Sequence, residues 1–84
     1  MYTLVTSKHV KKDLERISKQ DLLKIYEAML GLKQNPWPAG FKKLKGHADR
    51  YRLRQGDYRV IYTVNKKLNE VCVHYVRHRK NAYQ

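Results

Sequence analysis

Apolar residues recur along this chain with two different periods, and the change of period marks its elements. Tyr2 to Val5 is a short apolar run of strand character. Val10, Leu14 and Ile17 then fall at i, i+4 and i+7, with Lys11, Lys12, Glu15 and Arg16 around the rest of the turn. That spacing predicts an amphipathic helix, with Thr6 or Ser7 as its N-cap. Ser18 caps a second helix, and Asp21 at its third position suits the positive end of the helix dipole. Leu22, Ile25, Tyr26, Met29, Leu30 and Leu32 keep the helical period. Gly31 weakens that helix slightly. Asn35-Pro36 stops it, because a residue before proline avoids the helical region. The pair forms a helical hairpin with one apolar face.

From Tyr51 onward the period becomes two. Tyr51–Gln55 alternates, and Tyr58–Val64 is rich in β-branched and aromatic residues, so each reads as a strand. Gly56-Asp57 between them is a two-residue turn with glycine first, as a primed hairpin turn prefers. That turn sets a register: Gln55 opposite Tyr58, Arg54 opposite Arg59, Leu53 opposite Val60 and Arg52 opposite Ile61. One face then holds Tyr51, Leu53, Tyr58, Val60, Tyr62 and Val64, and the other holds Arg52, Arg54, Arg59 and Ile61. Asn65–Asn69 is a polar turn, and Glu70–Val76 is the last strand. Straight alternation there puts Val71, Val73 and Tyr75 in the core and Cys72, His74 and Val76 on the arginine face.

The expected fold is α+β. An N-terminal strand and a helical hairpin precede a three-stranded antiparallel meander, with the helices on one face of a four-stranded sheet. The connector Asn35–Gly40 is restricted by its prolines. Trp37 and Phe41 have the chemistry to stack on bases, but aromatics beside a loop proline more often close a core edge, and that reading is kept. Residues 1–84 form one domain. A chain of that length buries only about 60–65% of its unfolded surface, so modest stability is expected. The hydrophobic fraction of 42% is enough for a single core.

Charge changes the picture most. With 19 Lys and Arg against 7 Asp and Glu, the formal net charge is +12. Such a chain attracts polyanions: nucleic acid, an acidic protein or, less well, a membrane surface. No apolar run approaches a membrane span, and the N-terminus lacks the basic-then-apolar design of a signal peptide. The single Cys72 rules out an intramolecular disulfide, so a cytoplasmic protein without membrane association is expected.

Within that charge the arginines are placed with purpose. Arg54 directly opposite Arg59 is an unfavourable like-charge pair, and Arg52 lies beside them. Lys43 and Lys45 lead into this patch, and Arg77, Arg79 and Lys80 follow the last strand. The patch suits phosphate, which a guanidinium fork meets with two hydrogen bonds. RNA brings its own nucleophile, a 2′-hydroxyl beside the scissile phosphate. A protein that cuts it must orient the attack, stabilise the added negative charge and move protons. Arg54, Arg59 and Arg79 suit charge stabilisation. Tyr83 is a proton donor or a stacking ring, and the surrounding cations favour its ionised form. His78 carries an imidazole, the side chain most used for acid–base catalysis, with packing or solvent exposure as the other reading. His74 reads as sheet surface. The carboxylates are scattered, and Cys72 and His74 have no second pair, so neither a metal nor a cofactor is expected.

Three stretches resemble the RelE/ParE superfamily of toxins from toxin–antitoxin pairs. They are Lys43-Leu44-Lys45-Gly46, then Tyr51 through Tyr62, then His78-Arg79-Lys80-Asn81-Ala82-Tyr83. The resemblance runs along nearly the whole chain. The hairpin is shared by branches with different targets, whereas the basic tail ending in tyrosine is similar to the RelE-type branch. What this implies is a ribosome-dependent endoribonuclease that cuts mRNA and so inhibits translation. Its site would be Arg52, Arg54, Arg59, Arg79 and Tyr83, with Arg52 and Arg54 where RelE proteins carry lysines. Arginine effectively never loses its proton, which casts those two as electrostatic anchors rather than bases. The resemblance also implies a cognate antitoxin protein as partner, in an assembly such as a toxin–antitoxin heterotetramer, besides the ribosome and mRNA. The rival readings are a ParE-like inhibitor of DNA gyrase and a non-catalytic nucleic-acid-binding module.

Overall fold

In the computed structural model, which describes residues 1–46 and 49–80, the hairpin forms in the register its turn dictates. The chain runs β1 (Thr3–Thr6), α1 (Lys8–Glu15), α2 (Lys19–Gln34), β2 (Phe41–Lys43), β3 (Arg50–Gln55), β4 (Tyr58–Asn65) and β5 (Glu70–His78). Gln55 pairs with Tyr58, Arg54 with Arg59, Leu53 with Val60 and Arg52 with Ile61. Gly56 takes φ +59°, the left-handed backbone that the first position of the turn requires.

All the strands join one sheet in the order β1-β5-β4-β3-β2. β1 lies parallel to β5, and the other neighbours are antiparallel. The α+β class holds, but this is a five-stranded sheet rather than the four-stranded one expected from the sequence. The addition is β2, from a stretch read only as a carrier of lysines. Three residues with two lysines carry no strand pattern. The free backbone groups along β3 recruit them all the same.

β5 also departs from simple alternation. Tyr62 pairs with Val73 but Ile61 pairs with Tyr75, so His74 is the extra residue of a β-bulge. The bulge exchanges the expected neighbours. Val76, assigned above to the arginine face, is 2% exposed in the core opposite Val60. Tyr75, assigned to the core, turns onto the arginine face opposite Ile61. Burying valine there stabilises the core without leaving a phenol to be satisfied.

The helices cover one face of the sheet. α2 lies against β1, β3, β4 and β5, and α1 packs on β5. Val10, Ile25, Leu32, Val60, Tyr62, Val71 and Val73 are fully buried between the layers. Trp37 closes the edge of this core, half-buried against it. The Tyr62 hydroxyl donates to the Pro36 carbonyl at 2.5 Å, which ties the connector to the sheet and answers a buried phenol. Ser18 caps α2, accepting from the Asp21 amide at 3.4 Å. Ser7 occupies the cap position of α1, yet its hydroxyl donates to the His74 carbonyl at 2.7 Å instead. Tyr26 and Leu30, expected on the apolar face of α2, remain 47% and 54% exposed beside Leu23 at 64%. The apolar stripe of this helix is wider than the sheet can cover.

β1 pairs with β5 only as far as Val73. Beyond it the β5 edge is held by side chains from α1 and its cap: Ser7 at His74, and Asp13, whose Oδ2 accepts from the Val76 amide at 3.0 Å. Asp13→Ala orphans that amide and should destabilise the fold by about 1–3 kcal/mol. Asp13→Asn, which keeps an acceptor, should lose less. Urea unfolding of the two variants measures the difference, and equal losses would show that the hydrogen bond contributes nothing.

Candidate functional site

The face of the sheet away from the helices is organised in rows. Arg54, Arg59 and Arg77 stand abreast across β3, β4 and β5. The next row is Lys42, Arg52, Ile61 and Tyr75. Ile61 is 3% exposed between its long neighbours, so the patch has an apolar floor. Beyond it come Arg50, Thr63 and Cys72.

Above the first row the turn gathers the guanidiniums. Arg54 Nε donates to the Gly56 carbonyl at 3.3 Å. Arg59 Nη1 donates to the same carbonyl at 3.4 Å and to that of Tyr58 at 3.2 Å. Arg79 joins them just past β5, where its amide donates to the Asp57 carbonyl at 2.7 Å. Burial lowers the Arg59 pKa from its ordinary value, and the positive charges of Arg54, Arg52 and Arg79 lower it further, against a partial opposing effect of Asp57. The Arg59 Nε is buried and has no hydrogen-bond partner among the described residues. A neutral carbonyl satisfies a donor but leaves the charge unbalanced. An anion laid across this row would balance that charge.

The bulge decides which tail residues reach the patch. By continuing the pairing past His74, it puts Arg77 beside Arg59 and turns His78 to the helix side, opposite Tyr58. There the His78 ring meets Tyr58 edge-on at 5.5 Å between centroids, and its Nδ1 accepts from the Lys80 amide at 3.3 Å. The imidazole, a candidate for catalysis in the sequence, is therefore not brought to the arginines. Arg77 lies with its guanidinium carbon 4.5 Å from the Tyr75 ring centroid, a cation–π contact. Lys80 is exposed beyond the strand, and Tyr83 lies outside the described residues.

Two lysines are also placed differently. Lys43 pairs with Tyr51 and so points to the helix side, while Lys42 pairs with Arg52 on the arginine face. Lys42 belongs to the lysine stretch read from the sequence but was not assigned to the site, and recognising β2 would have placed it by parity. Lys45 is exposed in the turn after β2. His74 does lie on the open face, its Nε2 2.9 Å from Thr63 Oγ1. Burial, and then the charge of Arg50, lower its pKa below the ordinary 6.5.

These features define a class: a small basic α+β domain whose helices cover one sheet face and whose other face presents an open row of arginines. The family model described as the ParE toxin of the parDE type II toxin–antitoxin system matches residues 4–83. The chain belongs to this family, and so to the RelE/ParE superfamily of toxins. It is 35% identical over 80 residues to the RelE1 protein of Methanocaldococcus jannaschii, covering 92% of this chain and 89% of that one. A chain of the archaeal RelE–RelB complex from Pyrococcus horikoshii OT3 is 34% identical, with a TM-score of 0.83, covering 96% of this chain and 98% of its own. The RelBE2 toxin–antitoxin complex from Mycobacterium tuberculosis contains a chain 25% identical with a TM-score of 0.82, covering 93% and 98%.

Proposed function

We propose that this toxin is a ribosome-dependent endoribonuclease that cuts mRNA in the cytoplasm without a metal ion. The observation that carries the reading is the convergence of Arg54, Arg59 and Arg79 at the turn end of an open face, close enough for their charges to act on one another. In the reaction the 2′-oxygen bonds to the adjacent phosphorus and loses its proton. The bond to the 5′-oxygen breaks, and that oxygen takes a proton. Extra negative charge builds on the phosphoryl oxygens between those events. Fixed guanidinium donors already repelling one another are well suited to receive it. Arg52 and Lys42 would hold the flanking backbone. Tyr83 would supply a proton or stack on a base.

The relatives named RelE support the RelE-type reading, although the family model that matches carries the ParE description, and the relatives seen with RelB support a cognate antitoxin for this chain. An acidic segment would neutralise the arginine face. The exposed Leu23, Tyr26 and Leu30 on α2 offer an apolar helix a place to lie.

Adding the purified protein to a translation reaction should stop synthesis and fragment the mRNA at codon positions. The upstream piece should end in a 2′,3′-cyclic or 3′-phosphate and the downstream piece should begin with a 5′-hydroxyl, because the attacking oxygen belongs to the RNA. Cleavage should survive EDTA when an exchange-inert metal complex keeps the ribosomes intact. Cleavage lost in EDTA and restored by added metal, on intact ribosomes, would refute metal independence. Intact mRNA together with blocked DNA supercoiling would establish the gyrase reading instead.

A further inference from the structure

Lys43, turned away from the arginines, lines a second basic surface. A cleft of about 630 Å³ is lined by Trp37, Lys43, Tyr51, Asn65, Lys66 and Lys67, and also by Asp49 and by Thr63 of the opposite face. It lies at the end of β4 remote from the Gly56-Asp57 turn. Arg59 and Val64 are separated there by roughly 17 Å of strand. The cleft and the arginine row therefore cannot grip the same phosphate.

Its floor is unusually well fixed for a surface site. The Trp37 amide donates to Asn35 Oδ1 at 3.0 Å, and the neighbouring Pro36 is buried and accepts from Tyr62. Tyr2 and Tyr51 meet the indole at steep angles, with centroids 6.3 and 6.4 Å away. The ring is thus held in place before any partner arrives, which lowers the entropy lost on binding. It remains half-exposed, and the Lys66 ammonium sits 5.3 Å from its centroid. A base entering over the indole would displace Lys66 toward its own phosphate. Lys43 and Lys67 stand in the same cleft for the neighbouring phosphates. An acidic peptide could balance these lysines, but it would leave the aromatic surface unused.

We propose that the Trp37 cleft is a second RNA-binding site, which takes a single-stranded nucleotide by stacking its base on Trp37 and holding its phosphates with Lys43, Lys66 and Lys67. The proposal rests on the RNA reading above and extends it: the domain is gripped at two separate places, by the strand to be cut and by another RNA segment.

Trp37 is the single tryptophan of the chain, so its emission reports on the cleft alone. A short single-stranded 2′-O-methyl oligoribonucleotide, which cannot be cut, is the probe. It should quench that emission in the wild-type protein and equally in an Arg54→Ala/Arg59→Ala variant. Lys66→Glu/Lys67→Glu should weaken binding to the arginine-deficient variant by about tenfold or more. It should also flatten the salt dependence of log K by about 0.7 for each phosphate no longer held. Both lysines are exposed, so the fold should survive, and circular dichroism checks it. Unchanged emission while RNA binds through Arg54 and Arg59 would overturn the cleft and leave the ribonuclease reading standing. Equal quenching by a polyglutamate of matched charge would overturn it in favour of an acidic protein partner. Cleft binding by a protein that never cuts mRNA would uphold the site while removing the nuclease.

Discussion

Arg59→Ala should abolish toxicity and leave the melting temperature equal to or above that of the wild type. The side chain stands opposite Arg54 and beside Arg77, and it feels Arg52 and Arg79 as well. Its removal relieves repulsion that the folded state otherwise tolerates. The hydrogen bonds it gives up are long ones to the Gly56 and Tyr58 carbonyls, 3.4 and 3.2 Å, at an accessible turn. In catalysis the loss runs the other way, since one preorganised charged donor is typically worth about 10²–10³ in rate. Arg54→Ala should behave alike. Arg59→Lys keeps the charge but not the fork, and it should recover binding more than cleavage. Single-turnover cleavage on ribosomes, set beside thermal unfolding, measures both sides. A large fall in melting temperature would make Arg59 structural and remove it from the site.

Ending the chain at His78 should leave a folded domain that binds RNA and does not cut it. β5 is complete at His78, and Val76 with its hydrogen bond to Asp13 lies upstream. Among the described residues the truncation removes two hydrogen bonds, from the Arg79 amide to Asp57 and from the Lys80 amide to His78 Nδ1, together with Arg79 and Tyr83 themselves. Each such bond contributes about 0.5–1.5 kcal/mol, so the loss of stability should be small. Arg52, Arg54, Arg59 and Arg77 remain, and affinity should stay salt-sensitive. Arg79→Ala alone should slow cleavage by about 10²–10³. Tyr83→Phe should slow it further if the phenol transfers a proton, and should be nearly silent if the ring stacks. A truncated protein that still cuts mRNA would move the chemistry entirely onto the hairpin.

How far each element could be read depended on whether its pattern was local. Residues from Ser18 to Asn35 carry a cap, a period and a stop within one helix, so α2 was legible apart from its exposed flank. The width of that flank is set by the size of the sheet beneath it, which no helical period encodes. Arg54 opposite Arg59 needed only a two-residue turn, and the repulsive pair already pointed to an anion. Lys43 was misplaced because its side of the sheet is defined by the partner strand β3 and not by its own neighbours.

What the sequence determined by itself, then, is the hairpin: Gly56-Asp57 fixes the register, and alternation puts Arg52, Arg54 and Arg59 on one face, because turn geometry and pleat act between residues close in the chain. The tertiary structure decided the rest of the site. Val71, Val73 and Val76 compete with Tyr75 for places under the helices, and a straight strand cannot bury all the valines at once. A bulge at His74 resolves that competition, with Ser7 and Asp13 fastening the strand edge on either side of Tyr75. That single inserted residue reverses the parity of everything after it. Arg77 and Arg79 therefore meet the row of Arg54 and Arg59 and His78 packs on Tyr58, an outcome set by core packing across the whole sheet.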